Sequence, residues 1–411
     1  MGGAGKRVGF LVGLLLLPAI AVAQSGGLRD RDPDLEGTKK VLGELQQANI
    51  HSGRFYMISR IRLADAGFAE DYYLPTGEAR GGINLRIEAP QRIYIVPQRK
   101  TIFSFDFVPS YSWLHSGNKS GQFDYAARAD AHFLLNHLYL DPYVLYTDQI
   151  RAQVADVNRL ATERVREGGL NTELKYSSRT SAIFSARHRI LSFPGSRFQP
   201  EDRLVSQLDR TEENGRLALH HKTFPLTSLF VAGELSKYEF KRAGEKDSKR
   251  RYFGGGFIRS AGRTSLRVEA GQTQLDFDDP AQADFDGLTG QISVSRATGR
   301  WTTTVTGTRD IGFSIFANNN YYKANTLRLA LENALTRKLT LRLGSTFERD
   351  NYDFSANGIL RRDDLSYTYV GFIYSFRRLR LGADVGWFER DSNFLADDSG
   401  IRWVLHLSFT P

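Results

Sequence analysis

The sequence predicts an all-β chain: a transmembrane, up-and-down antiparallel β-barrel of about 18 strands, with about 16 as the alternative count. Three observations predict it. From about Arg54 onward, apolar and polar residues alternate with period 2. The alternating runs reach roughly 9–14 residues, longer than the five or six usual in soluble sheets and suited to a tilted bilayer crossing. Long and short connectors mostly take turns, as they do where one side of a barrel has tight turns and the other has loops.

The elements follow in chain order. Residues 1–23 carry Lys6 and Arg7, an apolar stretch from Val8 to about Leu17, and Ala21 and Ala23 at small-x-small spacing. This is the pattern of a secretory signal cut before Gln24. It predicts export and a place in the bacterial outer membrane. Residues 24–53 read as a periplasmic N-terminal segment with one short helix, in which Leu35, Leu42, Leu45 and Asn49 are loosely spaced at helical intervals. Residues 54–411 read as the barrel.

Strands are expected near 54–64, 82–90, 101–113, 121–133, 138–149, 168–178, 180–189, 215–222, 228–240, 249–260, 264–277, 285–296, 300–310, 322–334, 338–349, 363–376, 378–390 and 400–409. In 101–113 the apolar face is Phe103, Phe105, Phe107, Tyr111 and Trp113, opposed by Ser104, Asp106, Ser110 and Ser112. Long loops are expected at 150–167 and 350–362 among others, and the stretch 91–100 breaks the rhythm. The chain ends on "IRWVLHLSFTP", with Ile401, Trp403, Leu405, Leu407 and Phe409 on one face. An open edge of this kind invites aggregation. Pairing the last strand with the first removes it, and a closed barrel is the one sheet a bilayer tolerates. Aromatic girdles are expected from Tyr56, Tyr111, Trp113, Tyr143, Tyr238, Tyr252, Trp301, Tyr322, Tyr352, Tyr374, Trp387 and Trp403.

The polar face predicts a hydrated lumen lined by Arg86, Asp124, Arg128, Asp130, Arg267, Glu269, Arg328, Arg342, Arg380 and Asp384. The formal charge is +9, or +7 once Lys6 and Arg7 leave with the signal, a balance suited to an anionic polymer or lipid headgroup and, more simply, to a solvated surface rich in arginine.

Chemistry is sparse. The chain has no cysteine, so thiol catalysis and thiolate metal sites are excluded. There is no G-x-S-x-G elbow. "YFGGGF" at 252–257 is not followed by the helix and Lys-Ser/Thr of a phosphate cradle and reads as close-packed wall. Asp276, Asp278, Asp279, Asp284 and Asp286 bunch in one loop, at spacings that fit no calcium loop. No catalytic residue, metal or cofactor is implied, and the reading is non-enzymatic. A histidine paired with a serine across the wall would support an outer-membrane hydrolase or acyltransferase instead.

"YYKANTLRLALENALTRKLTLRLGSTFERDNY", "RRDDLSYTYVGFIYSF" and "RLRLGADVGWFERDSNF" resemble the putative β-barrel porin 2 family of outer-membrane proteins. The matched motif residues are Arg362 and Asp363, flanked by Arg361 and Asp364, at the opening of a late strand, and Arg390, Ser392 and Asn393 at the close of the next. The resemblance implies a barrel and a link to exopolysaccharide or capsule gene clusters. The expected function is therefore a conduit for exopolysaccharide secretion or porin-like diffusion, with a non-conducting docking barrel of a polysaccharide assembly machine as the alternative. The expected partners are outer-membrane lipid, the barrel-assembly machinery through 401–409, polysaccharide and a periplasmic export complex, with no nucleic acid.

Overall fold

The computed structural model describes residues 37–69, 82–116, 118–154, 157–194, 205–314, 320–356, 359–393 and 398–410. The signal sequence read at 1–23 lies outside them. The described chain opens with a helix, α1 (Gly37–Leu45), and a short hairpin of β1 (Ile50–Ser52) and β2 (Phe55–Ser59). There follow β3 (Ile61–Ala69), β4 (Gly82–Glu88), β5 (Gln91–Gln98), β6 (Thr101–Ser116), β7 (Asn118–Leu134), β8 (Leu138–Val154), β9 (Val157–Lys175) and β10 (Thr180–Ser192). The rest are β11 (Arg210–Phe224), β12 (Thr227–Phe240), β13 (Ser248–Ala261), β14 (Thr264–Phe277), β15 (Phe285–Thr298), β16 (Trp301–Phe313), β17 (Tyr321–Ala334), β18 (Leu339–Ala356), β19 (Ile359–Phe376), β20 (Leu379–Ser392) and β21 (Asp398–Phe409).

These form one closed antiparallel barrel of 18 wall strands. The count works because β2 and β3 act as one wall strand broken at Arg60, and β4 and β5 as another broken at Ala89–Pro90. β4 and β5 pair in turn with the two halves of β6. β1 pairs only with β2. The last strand closes on the first, with Phe409 opposite Ile61 and Trp403 opposite Phe68.

Side chains sort by parity. Phe103, Phe105 and Tyr111 point outward and are exposed to the surroundings of the barrel, while Ser104 and Ser110 between them are buried on the inner face. The same holds on β12, where Leu229, Val231 and Leu235 face out and Phe230, Ala232 and Glu234 face in. The turns at 99–100, 135–137, 176–179, 225–226, 262–263, 299–300, 335–338 and 377–378 lie at one end, here the near end, with both ends of the described chain. The other connections, short and long, lie at the far end.

Residues 91–98, expected as an irregular connector, are strand β5, and the turn after them is only 99–100. The pattern hid because Pro90 interrupts the run and the inner face here carries Tyr94 and Val96, which pack against α1. Apolar residues on both faces erase the alternation. The loops expected at 150–167 and 350–362 are mostly strand, since β8 runs to Val154, β9 starts at Val157, β18 runs to Ala356 and β19 starts at Ile359. There the wall rises beyond the lipid-facing band, so its outer face can be charged. Arg164 and Asp148 form an ion pair of 2.7 Å at that level.

Six tyrosines expected in the outer girdle, Tyr56, Tyr143, Tyr238, Tyr252, Tyr322 and Tyr352, face inward instead. Several lie flat over a glycine. A Cβ on Gly169 would collide with the Tyr143 ring, one on Gly271 with Tyr252, and one on Gly312 with Tyr322. Seating a ring on a bare backbone stabilises a sheet glycine that would otherwise weaken the strand. Tyr111, Trp301, Tyr374, Trp387 and Trp403 do face out. In "YFGGGF", Gly254 and Gly256 come against the backbone of β14, where no side chain would fit.

The near-end turns place φ in the left-handed region at Gly262, Gly299 and Arg377. Glycine is at ease there and arginine is not. Arg377→Gly should raise stability by roughly 0.5–1 kcal/mol, read as a higher urea midpoint for the barrel folded in vesicles. An unchanged or lower midpoint would count against this account of the turn.

Candidate lumen and its two closures

The inner wall is a lattice of ion pairs, because inward positions on neighbouring strands come level and carry opposite charges. Glu269 is its most connected carboxylate. It accepts hydrogen bonds from Arg216 (2.7 Å), Arg267 (3.2 Å), Gln291 (3.3 Å) and the Tyr252 hydroxyl (3.2 Å). Arg216 also meets Glu234 at 3.3 Å. Beside it, Arg189 bridges Glu167 at 2.5 Å and Glu212 at 3.4 Å, and Arg250 meets Asp310 at 2.9 Å.

The other predicted lumen residues also lie on inward positions. Arg86 pairs with Glu88 at 2.9 Å, and Asp124 accepts from Ser112 (2.8 Å) and Gln122 (2.9 Å). Arg128 pairs with Asp130 at 2.6 Å and sits 4.1 Å over the Tyr143 ring. Asp384 is shared by Arg342 (3.4 Å) and His406 Nε2 (2.8 Å). Arg328 and Arg380 are exposed to the lumen.

His406 also holds the seam. Between Leu405 and Leu407 the pairing with β3 slips by one residue, from Ala66 to Leu63. This bulge leaves the Ala64 carbonyl out of the ladder, and His406 Nδ1 lies 2.9 Å from it. His406→Ala should therefore cost about 1–3 kcal/mol, measured as a lower urea midpoint, while His221→Ala on the outer face should cost little.

The family-motif residues meet at the far end of β19 and β20. Asp363, fully buried, takes Arg390 at 2.9 Å and the Ser392 hydroxyl at 2.5 Å. Asn393 clasps the neighbouring backbone. Its Oδ1 accepts from the Arg362 N–H and its Nδ2 donates to the Leu360 carbonyl, both at 2.8 Å. The guanidinium of Arg362 instead turns outward to Asp364 at 2.5 Å. The inward partner of Asp363 from this stretch is Arg361.

Two constructions project into the lumen. At the near end, α1 packs Val41, with Leu45, on the inner face against Tyr94, Ile102, Leu134 and Tyr139. Glu44 accepts from the Tyr94 hydroxyl at 2.7 Å and pairs with Arg92 at 3.0 Å. Gly37, Val41 and Leu45 form the contact face at spacing four, and Leu42 is exposed, so the packed stripe differs from the expected one.

At the far end, the β16–β17 hairpin folds inward. β16 pairs with β15 only up to Arg309, yet continues with β17 to Phe313 opposite Tyr321. Ile311, Phe313 and Tyr321 are buried against Tyr238, Phe240, Leu275, Phe277 and Phe285 from the inner faces of β12, β14 and β15. Phe313 meets Tyr238 and Phe240 edge-on at 5.1 and 4.9 Å. The loop after β12 fastens the tip, with Lys246 Nζ donating to the Ser314 carbonyl at 2.6 Å and Asn320 donating to the Glu245 carbonyl at 3.1 Å. A register change of this kind leaves no local sequence signal, since Ile311 and Phe313 keep the period of two with Asp310 and Gly312 on the other face.

One serine–histidine pair is present among the described residues. Ser104 Oγ lies 3.0 Å from His132 Nε2 and 3.2 Å from Asp130 Oδ2, and His132 Nδ1 lies 3.0 Å from the Tyr139 hydroxyl and 2.9 Å from Asp141 Oδ1. The residue types are those of a nucleophilic triad, but the electrostatics are not. His132 Nδ1 is hydrogen-bonded to Tyr139, and Asp141 Oδ1 makes no hydrogen bond. β6 is paired on both edges at Ser104, so the ladder uses its N–H groups. The Asp130 carboxylate stands where an oxyanion would need donors. The acidic loop likewise has other work. Asp284 and Asp279 accept backbone N–H groups, and Asp276 and Asp278 pair with Arg251 and Lys249.

The fold resembles solved outer-membrane channels. Acinetobacter baumannii OccAB4 matches with a TM-score of 0.50 at 12% identity, over 88% of this chain and 99% of that one. A BenF-like porin from Pseudomonas fluorescens Pf-5 matches at 0.51 and 13% identity, over 86% and 99%. Pseudomonas aeruginosa OpdK, crystallised with vanillate, matches at 0.51 and 12%, over 86% and 98%. Such distant likeness establishes the fold alone. No curated protein matches the chain. A family profile described as putative beta-barrel porin 2 matches residues 194–405, more than half of the chain. An 18-strand barrel with an apolar outside and a charged inside agrees with that match, and the chain belongs to the putative beta-barrel porin 2 family of outer-membrane barrels.

Proposed function

We propose that the barrel is a passive, hydrated conduit through the outer membrane, entered at the near, periplasmic end, and that its cargo is anionic. The leading cargo is an exopolysaccharide leaving the cell, and small carboxylates are the second. The observation that carries the reading is an excess of arginine at the near mouth. Arg380 lies across Ser408 from Arg62. Arg60 is two positions further on the same inner face, within electrostatic reach of Arg62, Arg92 and Arg380. Arg62 has Glu88, and Arg92 has Asp106 and Glu44. Among the described residues, Arg60 and Arg380 form no ion pair. Clustered like charge at a pore mouth raises the local concentration of counter-charged solutes. The vanillate held by OpdK supports the small-carboxylate alternative.

The α1 seat favours a second reading, a sealed docking barrel on which a periplasmic export complex assembles. Planar-bilayer recording separates the two. The conduit should conduct in steps with an anion-selective reversal potential, and Arg60→Gln with Arg380→Gln should move that potential toward zero. A barrel silent at every voltage would leave the docking role. We further propose that β21 is the segment read by the barrel-assembly machinery and that 1–23 is removed on export. The mass of the mature N-terminus checks the second point.

A further inference from the structure

The lipid-facing side of β9–β13 carries a groove of about 920 Å3, at the upper end of the about 300–1,000 Å3 typical of ligand pockets. It exists because small residues share one level. On the outer face Ala186 lies opposite Gly215 and His188 opposite Gly168. Leu170 and Leu235 bank it. Glycine inside a strand lowers stability unless something approaches closely, and a Cβ on Gly215 would meet nothing, so no protein neighbour explains the gap.

Toward the far end the outer face turns from apolar to charged, with Leu235 followed by Lys237 on β12, and Phe253 by Arg251 and Lys249 on β13. Lys237 and Lys249 are directly opposite one another, a like-charge pair unfavourable in itself. In a barrel with short periplasmic turns this level is that of the outer-leaflet headgroups.

We infer that the groove seats a phosphorylated glycolipid of the outer leaflet, with its phosphate on Lys237, Lys249 and Arg251 and an acyl chain over Gly168, Ala186 and Gly215. Carboxylates already stand beside these cations. Glu239 lies 2.5 Å from Lys237, Asp278 lies 3.3 Å from Lys249, Asp276 meets Arg251, and Glu213 lies 3.5 Å from His188. Exposed pairs of this kind are weak. A phosphate with its divalent counter-ion can replace them, the anion on the cations and the metal on the freed carboxylates. The inference depends on the outer-membrane placement and not on conduction, so a sealed barrel would leave it standing.

The test is native mass spectrometry of the full-length folded barrel, titrated with diphosphoryl lipid A and magnesium in neutral detergent. The wild type should retain the lipid. Lys237→Gln with Lys249→Gln should weaken retention roughly thirty-fold. Gly215→Leu fills the groove without a clash and should weaken it comparably, with folding verified by heat-modifiable gel migration. Dephosphorylated lipid A should bind like the double variant. Equal retention by all three proteins would overturn the inference. So would a wild-type dimer that Gly215→Leu dissolves, since a second copy would then cover the groove.

Discussion

Replacing Glu269 with alanine should destabilise the barrel by about 3–5 kcal/mol. Glu269 is 1% exposed and Arg216 is 5% exposed. The substitution removes the 2.7 Å ion pair with Arg216 and leaves the one to Glu234 at 3.3 Å. The Tyr252 hydroxyl and one Arg267 nitrogen lose an acceptor at the same time. A buried cation that loses a charged partner costs far more than the intact pair contributes. The measurement is the urea midpoint of the barrel folded in vesicles. Replacing both members, Glu269→Leu with Arg216→Met, should recover most of the loss, because the price of an orphaned charge disappears with the charge. A single-variant loss below about 1 kcal/mol would mean lumen water reaches the site and the pair behaves as an exposed one.

This lattice shows why the sequence revealed the wall better than what fills it. Alternation such as Phe103–Ser104–Phe105 reports which face meets lipid, and lipid contact is a local requirement on every wall strand. Closure at β21–β3 was legible for the same reason, since the apolar face of 401–409 needed a partner. Which Arg meets which carboxylate depends on register, and register is not written in one strand. Arg216 and Glu269 are 53 residues apart and come level only when four strands are aligned.

The misplaced tyrosines follow from the same limit. An inward ring over Gly169 or Gly271 and an outward ring in a girdle satisfy equally simple rules, and the deciding glycine lies on another strand. β5 failed to read as wall because its inner face is apolar where α1 covers it. The break in the alternation at 91–100 thus marks the place where α1 projects into the lumen. It was the most informative irregularity in the sequence.

The larger functional effect should come from α1. Val41 is 4% exposed in the apolar cup of Tyr94, Ile102, Leu134 and Tyr139. Val41→Asp would bury a carboxylate with no partner there, which costs several kcal/mol, and the helix can avoid that cost by leaving. A loss of about 3 kcal/mol changes a seated-to-unseated ratio by more than a hundred-fold. Glu44→Ala, which removes the bonds to Tyr94 and Arg92, should act in the same direction but less. In planar bilayers the expected results are long-lived open levels for Val41→Asp and brief ones for Glu44→Ala. Leu42→Asp is the control. Leu42 is on the same helix but 43% exposed, so its traces should match the wild type. If Val41→Asp and Leu42→Asp gave indistinguishable recordings, α1 would be a strut on the inner wall and the near mouth would have no closure of its own.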